Sequence, residues 1–206
     1  MFSNRYPLSA KRLEGFTLIE LIVVIAIIAV LAAIITPNVF RAIEKAKISA
    51  CIGDIKAIRS ASFAFYADTG TLPCTKAGGW GEDPGFTRLI TPSNCWADEG
   101  GCASGCTNVL GWDGPYLEKW PVAGPWHIGG GGRYNWNRWA GYSPPGIGVS
   151  CAMAGIVTME SYGAVPVASL QAIDRILDDN NLTTGYVFVS GNVTNPDYLQ
   201  FVVTCQ

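Results

Sequence analysis

Gly15-Phe16-Thr17-Leu18-Ile19-Glu20 opens a stretch that continues Leu21-Ile-Val-Val-Ile-Ala-Ile-Ile-Ala-Val-Leu-Ala-Ala-Ile-Ile35. After Gly15, Thr17 and Glu20 are its only polar side chains. A run of about twenty apolar residues rises about 30 Å as a helix and can cross a bilayer. Arg5, Lys11 and Arg12 precede the run and few charges follow it. That asymmetry predicts a single pass with the N-terminus cytoplasmic. The rest of the chain then lies outside, where its seven Cys can form disulfides. A cleaved secretory signal would be shorter and end at a small-residue site, and Ala32-Ala33-Ile34 offers only a weak one. A plain signal anchor accounts for the hydrophobicity and the basic flank, but not for Glu20. A carboxylate at that depth costs about 2.5–3.5 kcal/mol unless it is partnered, and the sequence shows no obvious partner within the monomer.

The Gly15-Phe16-Thr17-Leu18-Ile19-Glu20 motif and its apolar continuation resemble the processing site of type IV prepilins and type II secretion pseudopilins. The resemblance implies that residues 1–15 are a leader, cut between Gly15 and Phe16 by a membrane prepilin peptidase. It implies that the same peptidase/methyltransferase activity then N-methylates Phe16. It further implies that Glu20 pairs, in a packed filament, with the Phe16 amine of a neighbouring subunit. The electrostatics agree, because a carboxylate in an apolar bundle is tolerable only beside a cation. Partners of this kind are identical or related pilin subunits and an inner-membrane assembly platform. The product is an extracellular or periplasmic filament.

Residues 16–36 thus read as the transmembrane or filament-core helix and 37–68 as an amphipathic stem. Pro37 lies just past the apolar run, where the pilin family usually has a proline, and should kink or loosen the helix. Beyond it, Ile43, Ile48, Ile52, Ile55, Ile58, Ser62 and Phe65 recur at helical spacing, with charges mostly on the other faces. Asp68-Thr69-Gly70 and then Pro73 give the stop. One helix from about Phe16 to Ala67 is expected, with two helices broken at Pro37 as the alternative.

Residues 69–206 form the expected extracytoplasmic head. Its first part, 69–148, is rich in Gly, Pro, Trp and Cys, without a sustained period, and reads as an irregular, disulfide-stapled insertion with short strands. Within it, Gly114-Pro115-Tyr116-Leu117 and Tyr66-Ala-Asp-Thr-Gly-Thr-Leu-Pro73 resemble segments of major pseudopilins, where the first leads into a sheet strand. The Gly-Ala-Asp-Gly calcium loop of that group is missing. In 149–206, Ala164–Leu177 reads as a short helix ended by Asp178-Asp179-Asn180-Asn181. Tyr186–Val189 and Leu199–Val203 read as strands, with Ser190-Gly191-Asn192 as a turn between them. The segment Ile173-Asp174, Leu177 to Asn181 and Thr184-Gly185 is similar to one found in many bacterial pilin-like proteins.

Asp174, Asp178, Asp179 and Asn181 could supply oxygen ligands to calcium, although Asp and Asn also simply end helices and build turns. No other cofactor is indicated. Cys74, Cys95, Cys102, Cys106, Cys151 and Cys205 are disulfide candidates, and Cys51, on the stem, is the expected odd thiol. Zinc is disfavoured: Cys102 and Cys106 have no second close pair, and the chain has one His. Trp80, Trp96, Trp112, Trp120, Trp126, Trp136 and Trp139 suit either a core or a sugar-stacking platform. Gly129 to Gly132 lacks the Lys-Ser/Thr of a phosphate loop. No catalytic set is recognisable, so no enzyme is expected. A net charge of −2 and a pI near 5.4 argue against nucleic acid as a partner.

The expectation is therefore a type IV pilin-like α+β fold: a long N-terminal helix packed on a small antiparallel sheet. The expected role is a pilin of a type IV pilus-like filament. A secretion pseudopilin and a membrane-anchored sugar-binding module are the alternatives.

Overall fold

A computed structural model describes residues 15–74, 83–88, 110–128, 131–161 and 164–206. Helix α1 runs unbroken from Leu18 to Thr69, with Pro37 inside it. Two separate helices are thereby excluded. Proline has no N–H to offer the carbonyl one turn back. At the same level Thr36 Oγ1 donates to the Ala32 carbonyl at 2.6 Å. The chain divides into two units, Met1–Ile43 and Glu44–Gln206. In the first, every described residue from Gly15 to Ile43 is exposed.

The second unit is built around a helical stripe and a sheet. Cys51, Ile52, Ile55, Ile58, Ala61, Ser62 and Phe65 are the buried residues of α1. Their spacing of one, three or four keeps them on one face. The strands are β1 (Ala123–Ile128), β2 (Gly131–Tyr142), β3 (Cys151–Glu160), β4 (Val187–Asn192) and β5 (Asn195–Cys205), with helix α2 (Val167–Leu177) between β3 and β4. They form one antiparallel sheet in the order β1-β2-β3-β5-β4. Strand side chains alternate between faces. Tyr134, Trp136, Val157, Met159, Leu199 and Phe201 join the α1 stripe in the main core. Ala154, Ile156, Phe188 and Val202 form a smaller cluster around Cys151.

The fold departs from the sequence expectation in three places. First, β3 is a strand where none was expected, and the twelve-residue β2 lies inside 69–148, the segment read as irregular with short strands. In β2, Tyr134, Trp136 and Arg138 are buried in strict alternation with half-buried neighbours, but the buried Arg disguises the pattern. Its guanidinium donates to the Leu72 carbonyl at 3.2 Å. Second, Ser190-Gly191-Asn192 belongs to β4, and the turn falls on Val193-Thr194. A register irregularity between Ser190 and Gly191, which has φ +90°, absorbs the glycine without ending the strand. Third, α2 begins at Val167 instead of Ala164, because Pro166 sits at its N-cap in an extended conformation.

Aromatic rings tie the glycine-rich segment to the end of α1. Phe65 packs edge-on to Phe86 and Tyr116, and Phe86 contacts Trp120 and Trp136. The Trp112 indole donates to the Gly85 carbonyl and the Trp136 indole to the Pro73 carbonyl. Tyr116 Oη donates to Asp68 at 2.8 Å. Gly111, at φ +89°, lies where a Cβ would meet the Asp68 carbonyl oxygen at 2.2 Å, so only glycine lets the chain pass there.

Candidate functional site

At the start of α1, Thr17 and Glu20 are bonded reciprocally. The Thr17 N–H and Oγ1 both donate to Glu20 Oε2 at 2.8 Å, and the Glu20 N–H donates to Thr17 Oγ1 at 3.2 Å. This is a capping box, which satisfies N–H groups that a helix start leaves without partners. It corrects the expectation that Glu20 has no partner within the chain. The Thr-x-x-Glu spacing was present in the sequence as the signal. Phe16, next to this cap, is almost fully exposed at 91%. No atom lies within 4 Å of a Cβ built on Gly15, so the fold itself does not require glycine there.

Leu18–Thr69 contains an 18-residue window of mean hydropathy 3.3, long and apolar enough to cross a membrane. None of that window is covered by the chain's own residues.

Within the second unit, Glu44 accepts the Trp126 indole N–H at 2.8 Å and the Ser169 hydroxyl at 2.5 Å. The stem is thereby joined to β1 and α2. Cys51 is a buried free thiol. Burial first, then Asp54, pushes its pKa up to about 12 despite the Tyr134 hydroxyl opposing them, so the sulfur is inert. Cys151 and Cys205 form a disulfide between the start of β3 and the end of β5. Cys74 is also disulfide-bonded. Cys95, Cys102 and Cys106 lie outside the described residues, as do Trp80 and Trp96. Trp120, Trp126 and Trp136 are buried in the core, and Trp112 and Trp139 are partly buried. A ligand platform would need exposed ring faces, so those first three cannot serve in one.

The structure also brings three of the acidic residues together. One carboxylate oxygen from each of Asp174, Asp178 and Asp179 lies within 4.8 Å of the others. Asp178 accepts the backbone N–H of Tyr186 and, at 2.9 Å, that of Val187. Asp179 accepts the Asn181 N–H and the Thr184 hydroxyl, both at 2.8 Å. Asn181 Oδ1 accepts from the Thr183 N–H and hydroxyl. Asp174 is wholly buried, and neither of its oxygens accepts a hydrogen bond. Burial, reinforced by the charges of Asp179 and Asp178, raises its pKa to about 6, with the nearby Asn181 N–H pulling the other way.

A family model described as the prokaryotic N-terminal methylation motif matches residues 11–36, and one described as PilW, C-terminal, matches residues 42–140. The α+β fold, a long N-terminal helix with a five-stranded antiparallel sheet, is consistent with a type IV pilin-like fold. The chain is similar to the type II secretion system core protein G of Pseudomonas aeruginosa, with 40% identity over 68 residues, 33% of this chain and 48% of that protein. The protein of the same description from Vibrio cholerae is 33% identical over 85 residues, 41% of this chain and 53% of that protein. The one from Escherichia coli is 41% identical over 65 residues, 32% of this chain and 45% of that protein. The chain thus spans about half the length of the curated relatives it matches. No solved structure matches it.

Proposed function

We propose that this chain is a structural, non-enzymatic subunit of a type IV pilus-like filament. The observation that carries the reading is the apolar helical surface of residues 21–35, exposed along its whole length behind a Gly15-Phe16 cleavage motif. A surface of that kind is stable against lipid tails or against other apolar helices, and poorly so against water. Prepilin peptidase removes residues 1–15 and Phe16 is N-methylated. The subunit waits in the inner membrane as a single-pass protein with residues 44–206 outside. The assembly platform then moves α1 from lipid into a bundle of identical or related helices. On assembly, Glu20 exchanges part of its Thr17 cap for the Phe16 amine of a neighbour and so sets the register.

The names of the relatives favour a second reading, a periplasmic secretion pseudopilus. Intact-mass and N-terminal mapping of membrane-extracted protein test what the two readings share. The expected product begins at N-methylated Phe16, and any other mature N-terminus sinks both. Deleting the gene separates them. Loss of sheared surface filaments with secretion intact supports the pilus, and loss of exoprotein secretion supports the pseudopilus.

A further inference from the structure

We propose that the C-terminal end of α2 binds a calcium ion through the carboxylates of Asp174, Asp178 and Asp179. This goes beyond the filament reading and does not depend on it. Asp174 lies on the buried face of α2 beside Leu170 and Ile173. It has no exposed surface, and both oxygens lack a hydrogen-bond donor. A bare carboxylate in that position is costly unless a proton or a cation meets it. Its neighbour in sequence, Arg175, is exposed to solvent. The other groups facing Asp174 are Asp178 and Asp179, which make the local potential more negative, and the Asn181 N–H, which donates to Asp179. The helix adds to the imbalance, because carboxylates stabilise a helix N-terminus and oppose the negative C-terminal end. Three carboxylates at this end are therefore arranged against the helix dipole, and a cation reverses the sign of every one of these terms.

The donor set selects the class of cation. All three ligands are hard oxygens, which suit calcium or magnesium and not a thiolate- or imidazole-seeking metal. Their mutual separations, all within 4.8 Å, are no longer than about twice a calcium–oxygen distance of roughly 2.4 Å, so one ion can reach all three. Magnesium needs a smaller and near-ideal octahedron, and holds its waters more tightly. Asp178 is fixed by the N–H groups of Tyr186 and Val187 and Asp179 by Asn181 and Thr184, so the ligands are positioned before the ion arrives. Gly185, at φ +94°, permits this approach, since a Cβ there would stand 1.9 Å from Asp178 Oδ2.

The test uses the full-length chain in detergent, chelated and then titrated with calcium chloride. Binding is followed by calorimetry and stability by thermal melting. We expect one calcium per chain, with a Kd of about 0.1–1 mM as in extracellular modules, and a melting point that rises with calcium. Asp174→Asn should lose the calcium-dependent rise, while its chelated form melts no lower than the chelated wild type. Asp179 is exposed, so Asp179→Asn should fold normally and bind calcium about tenfold or more weaker. It decides the matter should Asp174→Asn fail to fold. No calcium uptake at about 10 mM, an order of magnitude above that range, overturns the proposal. So does an unchanged calcium response in Asp179→Asn, or magnesium binding as tightly as calcium.

Discussion

The two halves of α1 share a backbone conformation and little else. From Leu21 to Ile35 the helix is apolar on every side, and each described residue from Leu18 to Ile43 is exposed. From Glu44 to Thr69 the apolar residues narrow to one stripe, and Cys51, Ile52, Ile55, Ile58, Ala61 and Phe65 are buried against the sheet and the aromatic rings. A helix apolar all round seeks lipid or other helices, whereas a striped one seeks its own core. The contrast shows that α1 is one element of secondary structure serving two solvents. Mutations in its halves should therefore report on different processes.

The largest expected effect is on assembly. Glu20→Val should leave insertion, cleavage and the melting of the head unchanged, while the ratio of sheared filament to membrane-held monomer falls at least about tenfold, because an unmatched amine is left in the bundle. Glu20→Asp should be intermediate. A wild-type filament yield from Glu20→Val, in cells lacking other pilins, would show that the two halves are not divided in this way. The stem half should respond in the opposite sense. Ile58→Ala removes a fully buried side chain and should cost about 2–5 kcal/mol in denaturant unfolding of the head. Ile27→Ala, in the exposed half, should leave the same transition where it was.

Smaller effects sharpen the division. Ser169→Ala removes one of the two donors to Glu44 and should destabilise the head by about 1 kcal/mol, read as a shift of the denaturation midpoint. Thr17→Val removes the hydroxyl of the cap but keeps the Glu20 charge. It should lower filament yield far less than Glu20→Val does and leave the head's melting untouched. The smallest effect concerns Asp54, half-buried on the stem, whose pKa burial raises above the usual value of 3.8. A carboxyl raised on folding adds stability that is complete below its unfolded pKa and fades as pH rises through the folded one. Asp54→Asn should therefore flatten a gain in stability seen on acidification toward pH 4, checked by melts across that range.

The sequence was most legible where a period was uninterrupted. The α1 stripe follows from Ile52, Ile55, Ile58, Ser62 and Phe65, and the acidic trio from the one-turn spacing of Asp174 and Asp178 on a helix end. Strand β3 escaped because it is buried on both faces from Ala154 to Glu160, so Cys-Ala-Met-Ala-Gly-Ile-Val-Thr-Met-Glu carries no alternation to read. Strand β2 escaped because a buried Arg138 and flanking glycines broke its binary pattern, although Tyr134 and Trp136 held the correct phase. The cap on Glu20 escaped for a different reason. Its place in an apolar run points to a cation on a neighbouring subunit, whereas Thr17, three residues away, already bonds it.

The Cys151–Cys205 bond, with a sequence separation of 54, closes a covalent ring through α2, β4 and β5. In the proposed filament, tension would reach each subunit through α1. A terminal strand held by hydrogen bonds alone can be unzipped one pair at a time from its free end. Here Cys205, at the end of β5, is bonded to Cys151 at the start of the central strand β3, so β5 cannot be peeled away from that end without breaking a covalent bond.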